Sequence, residues 1–542
     1  MTSFSRESAP FGDRTVEQHA NRNKRSGIQT APAIAVGLGL LLLAAASPCF
    51  AQFASPQAGG TARPIVLPQS GRLSVAGSAS VQQNTSPGGS DTLSSSVQVG
   101  GALQGSVPGA NPPAGPVVLT LANAVRRGLR VNLGILASGN SSAAASAQRI
   151  QALSALLPNI SANTSESIMQ VNLAANGFSF NLPPGLGFSI PSVVGPFRYW
   201  QAQGTVSQPL YDPVSWRNWK TAKELERAAS LSAKDARELV VLAVAGTYMQ
   251  VVAMAARIES QRAQVANAQA IYDQAQVRKT AGTNSRIDVM RTLVELQTEK
   301  QRLSSLESDY REQKLMLAGV IGLPLDRELV LTDPLVPDTV PVPEVSGVLQ
   351  RAFQLRSDLQ ASEAQVAAAR LALGAARGER LPSVSLNGNY GASGSSPASA
   401  HTVYTGTVNV SVPVWLGGRV KGDIREAEAT LHQRQSELAD QRRRVEQEVR
   451  GALLKLETAV GQIQVAENNR SYAAETLREA RDRFNLGVAN TVEVVQAEQQ
   501  VASAESDYVS SLLSLDLARL NLSRATGQAE TSFTDLLREK HP

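Results

Sequence analysis

The chain has 542 residues, of which 42% are hydrophobic and only 4% aromatic, which argues against one large conventional core. Its formal charge of +5 is spread along the sequence, whereas a nucleic-acid footprint needs a concentrated basic patch. Cys49 is the single cysteine, so extensive packing rather than disulfides must hold the fold.

Residues 33–46, "AIAVGLGLLLLAAA", form the one long apolar run, and they follow Arg22, Lys24 and Arg25. A basic flank, a short apolar stretch and "SPCFAQ", with Cys49 and Ala51 at the small positions, predict a secretory signal peptide over 1–51. The run falls short of the roughly 20 residues a spanning helix needs. The rival reading lipidates Cys49, but Pro48 directly before it fits such a site poorly. Residues 52–116 are rich in Ser, Gly, Gln, Pro and Ala with hardly a charge. Such a segment buries too little apolar surface to offset its ordering entropy and is expected to be a flexible tail.

The folded part is written twice. "AGTNSRIDVM" from Ala281 matches "LGVANTVEVV" from Leu486, which pairs Gly282 with Gly487 and Asp288 with Glu493. "LPNIS" from Leu157 matches "LPSVS" from Leu381, and "VSQPLY" from Val206 matches "VSVPVW" from Val410. "LRVNL" from Leu129 is paired with "LRSDL" from Leu355. The first repeat, 117–322, is expected as a helix at 119–156, strands at 158–168 and 198–210, and helices at 215–280 and 286–320. Its strands are joined by an inserted loop at about 171–197, which includes Pro183, Pro184, Gly185 and Gly187. A Pro-rich linker, 323–345, leads to the second repeat, 346–530. That repeat is expected as a helix at 346–379, strands at 382–392 and 402–414, and helices at 420–485 and 490–525. A C-terminal tail covers 531–542.

The long helices carry a heptad seam: Leu431, Leu438, Val445, Ala452 and Ala459, with Val449, Leu456 and Ile463 between them. The strands alternate instead. Val384, Leu386 and Tyr390 oppose Ser383, Ser385, Asn387 and Asn389; Val408, Val410 and Val412 oppose Thr407, Asn409 and Ser411. In the first repeat Ile160 and Ala162 oppose Ser161 and Asn163, and Trp200, Ala202 and Val206 oppose Gln201, Gln203 and Thr205. Strands of about ten residues with one apolar face have the length and pattern of transmembrane β-strands. Two soluble hairpins packed on helices would alternate equally well, but the export signal and the fourfold repetition favour the membrane. Four such strands cannot close a barrel, because the smallest outer-membrane barrels have about eight. Several chains must pool them, and three chains would supply twelve.

The duplicated order of LPxxS, VxxP and a glycine turn before an acidic residue resembles the TolC-type outer-membrane efflux proteins over about residues 117–530. The resemblance implies a mainly α fold with a small transmembrane β part. Duplicated helix-strand-strand-helix-helix halves would form an α-helical barrel plus a shared trimeric β-barrel. It implies a homotrimer in outer-membrane lipid, extending into the periplasm. The function implied is the passive exit duct of a tripartite efflux or secretion system, docking onto a periplasmic adaptor and an inner-membrane transporter. An adaptor-facing tip is carried over to Phe484 and Gly487 of the second repeat and to Gly282 of the first, where Lys279 replaces the aromatic residue. The channel gate is carried over to Glu493, with Gln496 neutral at a second acidic-ring position and Ala489 in place of an arginine. No catalytic, cofactor or metal residues are expected: His19, His401, His432 and His541 are scattered without ligand spacing. The alternatives are a periplasmic adaptor or a structural coiled-coil envelope protein.

Overall fold

In the computed structural model the described residues are 63–67, 103, 105–108, 115–175, 177, 191–282, 284–334 and 341–532. The leader expected over 1–51, most of 52–116, the tip of the inserted loop, part of the linker and the C-terminal tail from 533 lie outside them. The chain divides into two units, residues 1–57 with Val171–Val193, and the remainder. In the smaller unit, the Leu173 N–H donates to the Ser192 carbonyl at 2.7 Å and closes the base of the loop. The larger unit holds the elements that follow, except the last two residues of β2 and the first of β3.

The first repeat runs β1 (Val117–Leu119), α1 (Leu121–Val131), α2 (Leu133–Ser154), β2 (Asn159–Asn172), β3 (Val193–Tyr211), α3 (Pro213–Thr280) and α4 (Arg286–Ile321). After β4 (Leu329–Leu331) in the linker, the second runs α5 (Val345–Leu355), α6 (Ser357–Gly378), β5 (Ser383–Gly394), β6 (His401–Ser411), α7 (Arg419–Asn485) and α8 (Thr491–Ala525). The helices α3 and α7, of 68 and 67 residues, are each about 100 Å long at the α-helical rise. Asp212 starts α3: its side chain accepts the N–H groups of Val214 and Ser215, and Pro213 occupies the first turn, where no donor is missed. Along α7 the heptad seam is buried from Val445 through Val449, Ala452, Leu456 and Ala459 to Ile463. The last three pack on Leu512, Leu515 and Ala518 of α8.

Three features depart from the sequence expectation. The helix expected over 119–156 is two helices, broken at Asn132 (φ −66°, ψ 132°), and the one over 346–379 is broken at Arg356 (φ −63°, ψ 119°). The pieces are 11 and 22 residues long in both repeats. Asn132 and Arg356 therefore correspond at the same spacing as Leu157 and Leu381, which corrects the pairing of "LRVNL" with "LRSDL" by two positions.

The second departure lies in the linker. Its β4 pairs in parallel with β1, Val117 opposite Leu329 and Leu119 opposite Leu331. Asp333 then accepts the Leu121 N–H at 2.7 Å and lies 2.9 Å from the Tyr248 hydroxyl, which ties the start of α1 to α3. Short strands separated by two hundred residues leave no local signal. Within the expected flexible tail, Arg63–Leu67 is packed: the Asn218 side chain accepts the Ile65 N–H at 3.1 Å and donates to the Arg63 carbonyl at 2.6 Å. Leu67 is buried against Ala369 and Ala372 of α6.

The third is an apolar run within α3 that its helical neighbours conceal. Among the described residues α3 alone is long and apolar enough to cross a membrane. Its stretch Leu239–Val251 is instead core, enclosed by Leu121 and Val125 of α1, Leu317 and Ile321 of α4, and Leu513, Leu517 and Leu520 of α8. A helix covered on all sides reads as apolar all round, as a spanning helix does.

Candidate channel wall and periplasmic tips

The four long strands form one sheet in the order β2-β3-β5-β6. Antiparallel register puts Val206 opposite Gly388, Ala202 opposite Ala392, Leu386 opposite Val408, and Tyr390 opposite Tyr404. Since alternate residues share a face, one face of the sheet collects Trp200, Ala202, Val206, Val384, Leu386, Tyr390, Val408 and Val410. The other carries a ladder of small polar groups. The hydroxyls of Ser161 and Thr205 are 2.7 Å apart, Ser207 donates to Asn387 at 2.8 Å, and Asn389 donates to Gln203 at 3.3 Å. A neutral, hydrogen-bonded face opposite a dry one is what a wall between water and lipid requires.

At the far end of the helical hairpins, α3 turns into α4 at Gly282 (φ +75°), and α7 turns into α8 at Gly487 (φ +76°). A Cβ at either position would meet nothing within 4 Å, so what glycine supplies is the left-handed backbone alone. In the second tip Gly487 N–H donates to Phe484 O at 3.1 Å and Val488 N–H to Arg483 O at 2.9 Å. In the first, Gly282 N–H donates to Lys279 O at 3.0 Å and Asn284 N–H to Arg278 O at 3.3 Å. The following helices start alike. Asn490 accepts the Glu493 N–H, and Ser285 forms a reciprocal capping box with Asp288.

Phe484, expected to face a partner, is only 5% exposed. It packs with Ile271, Leu477, Ala480, Val494 and Ala497 and supports the turn from beneath. The outward apolar residues at this tip are Leu486 and Val488, 79% and 70% exposed. Lys279 is exposed. Its neighbour Arg278 crosses between the tips, donating to Phe484 O at 3.1 Å with its guanidinium 4.0 Å from the ring centroid. Beside it Gln274 donates to Asn485 at 3.0 Å. The sequence aligns the two tips but carries no sign that Arg278 reaches from one to the other.

Glu493 lies in the first turn of α8, where a carboxylate is favoured by the helix dipole. It is half-exposed, 3.3 Å from the Arg483 guanidinium. Ala489 packs against the cluster around Phe484, and Gln496 is exposed. A second acidic residue stands five residues beyond Glu493. Glu498 is buried and accepts from Arg481 at 2.8 Å, tying α7 to α8. Burial pushes its carboxyl above the usual range, against the pull of Arg481.

A two-faced sheet continuous with helices about 100 Å long is the protomer fold of an outer-membrane channel, an α-barrel joined to a β-barrel. The chain belongs to the outer membrane efflux protein family, whose model matches residues 129–323 and 348–528, once per repeat. It is 24% identical over 330 residues to the pyoverdine export outer membrane protein OpmQ of Pseudomonas putida, covering 58% of this chain and 68% of that one. To the outer membrane protein TolC of Vibrio cholerae it is 23% identical over 327 residues, 57% of this chain and 74% of that protein. Among solved structures, the outer-membrane channel OprN superposes with a TM-score of 0.64 at 18% identity, covering 75% of this chain and 90% of OprN. The outer membrane protein VceC of Vibrio cholerae gives 0.64 at 19% identity, with 75% and 96% covered. The location that follows is the cell outer membrane, with the helices extending into the periplasm.

Proposed function

We propose that the chain is the passive exit duct of a tripartite efflux or secretion system. Three copies form it, and it docks onto a periplasmic adaptor and an inner-membrane transporter. One observation carries this reading: the sheet has a largely apolar face and a polar face, and among the described residues its edge strands β2 and β6 have no outer neighbour. An open edge in lipid leaves backbone donors and acceptors unpaired, at several kcal/mol each. Three chains pairing β6 of one with β2 of the next would close twelve strands and remove every edge. The duct is no enzyme, and transport energy comes from the transporter. A periplasmic adaptor or a purely structural coiled coil has no use for a lipid-facing sheet. Chemical cross-linking of the full chain in detergent should stop at three copies. A stable monomer with native β content would end the proposal.

The tips take the docking role, with the Gly282 and Gly487 turns presenting backbone and the exposed Leu486 and Val488 to the adaptor while Phe484 braces the second turn. The gate assigned to Glu493 would be a ring of three symmetry-related carboxylates, with no ionic latch at Ala489. The inserted loop at about 171–197 joins strands whose other ends lead into the helices, so it faces the cell exterior. Protease added to intact cells should cut there before it cuts at Gly282.

A further inference from the structure

The four strands carry two formal charges in all, Glu166 on β2 and Arg198 on β3. A charged residue on a barrel strand is expected on the water side. Both stand on the other. Arg198 shares a face with Trp200, and the register sets Trp200 opposite Gly394 in the row that continues through Ala202/Ala392 and Val206/Gly388. Ser161 meets Thr205 on the polar face, so Glu166, five residues on, falls on the apolar face with Ile160 and Ile168. The ion pair agrees: Arg198 Nη1 lies 3.6 Å from Glu166 Oε1.

Depth explains how the membrane tolerates them. From Leu210, near the periplasmic end of β3, to Trp200 is ten steps along the strand. At about 3.3 Å per residue and a tilt of about 40° that covers roughly 25 Å, the height of the apolar band of an outer-membrane barrel. Trp200 therefore stands at the outer boundary, where aromatic residues form a girdle, and Arg198 one step beyond it at headgroup level. The cost of a charge there falls to about 0–1 kcal/mol. Counted from the Ser161–Thr205 pair, Glu166 stands level with Trp200, deeper than Arg198. It lies below the guanidinium, with one approach of 3.6 Å. The arginine side chain is 69% exposed and the glutamate 54%. An exposed planar guanidinium matches phosphate oxygens. The apolar strip beneath it matches acyl chains.

We propose that Arg198 and Trp200 form a lipid-side site for the phosphate-bearing headgroup of an outer-leaflet lipid. The proposal rests on the apolar face being lipid-facing. The test uses the full-length trimer in nanodiscs of phosphatidylcholine doped with bisphosphorylated lipid A or with the same glycolipid lacking phosphate. Retained lipid is measured by native mass spectrometry. The intact protein should enrich the phosphorylated lipid. Arg198→Gln should cut that preference by about fivefold, the worth of one basic side chain at an anionic surface. Arg198→Lys, which keeps the charge and guards against a folding defect, should keep most of the preference. Equal enrichment by the intact protein and Arg198→Gln would overturn the site. So would loss of the preference in millimolar inorganic phosphate, which would mark a free-anion site instead. A nitroxide on Val408→Cys separates the two readings: if it is inaccessible to oxygen dissolved in the acyl chains, the lipid-facing reading itself has failed.

Discussion

The breaks at Asn132 and Arg356 occupy the same place in the two repeats and are held in opposite ways. Asn132, fully buried, accepts the Gly134 N–H at 2.9 Å and donates to the Leu103 carbonyl at 2.7 Å, a neutral anchor to the segment before β1. Arg356, 2% exposed, grips Asp358 through Nε and Nη2 at 3.0 and 2.6 Å, and reaches Glu448 of α7 at 2.5 Å. Gln441 completes Asp358 at 2.8 Å. Burial works to raise the Asp358 carboxyl, but Arg356 outweighs it and leaves the group below the usual carboxylate range. Duplication kept the backbone turn and left the chemistry to whichever neighbour lay beside it. The common requirement is that each buried polar group find a partner.

The largest effect should come from Arg356→Ala. It leaves Asp358 buried without its ion-pair partner, and the loss expected is about 3–5 kcal/mol in guanidinium unfolding. Asn132→Ala removes a cap and strands one carbonyl, so the loss should be smaller, about 1–3 kcal/mol. Equal losses would break the comparison between an ionic and a neutral anchor.

A neighbouring charge cluster sharpens it through pH. Arg524 reaches Asp235 at 2.5 Å and Glu238 at 3.3 Å, and burial pushes the Glu238 carboxyl up to about 7. With the folded value above the unfolded one, the native state binds the extra proton between about 4.5 and 7. The stability from this group is full below that window and is lost as pH rises through 7. Glu238→Gln should flatten the fall in unfolding midpoint across that window. An unchanged slope would assign the pH dependence to other groups.

The smallest change in stability is expected at the second tip. Glu493→Gln removes a half-exposed pair with Arg483, worth about 0–1 kcal/mol. Single-channel recording should nonetheless show weaker cation selectivity if three Glu493 side chains line the mouth. The barrel strands' polar face carries no Asp, Glu, Lys or Arg, so little else there would mask the loss. Unaltered selectivity would leave Glu493 as a helix-start residue like Asp288.

Periodicity made much of this molecule readable from its residues alone. The heptads of α7, the alternation of Val384 to Val410, and the two glycines at the tips depend on contacts within one element or one turn. The strand faces and the repeat therefore follow from local pattern. Tertiary structure decided what depends on distant partners. Asn132 and Arg356 break helices that their sequence would continue, because Leu103, Asp358 and Glu448 satisfy the groups at the break. The apolar window of α3 is core rather than membrane span because α1, α4 and α8 cover it. Phe484 lies inward because Ile271 and Val494 close over it and Arg278 arrives from the other tip. A side chain's own pattern states which surface is apolar; only the packed neighbours determine whether protein, lipid or water covers it.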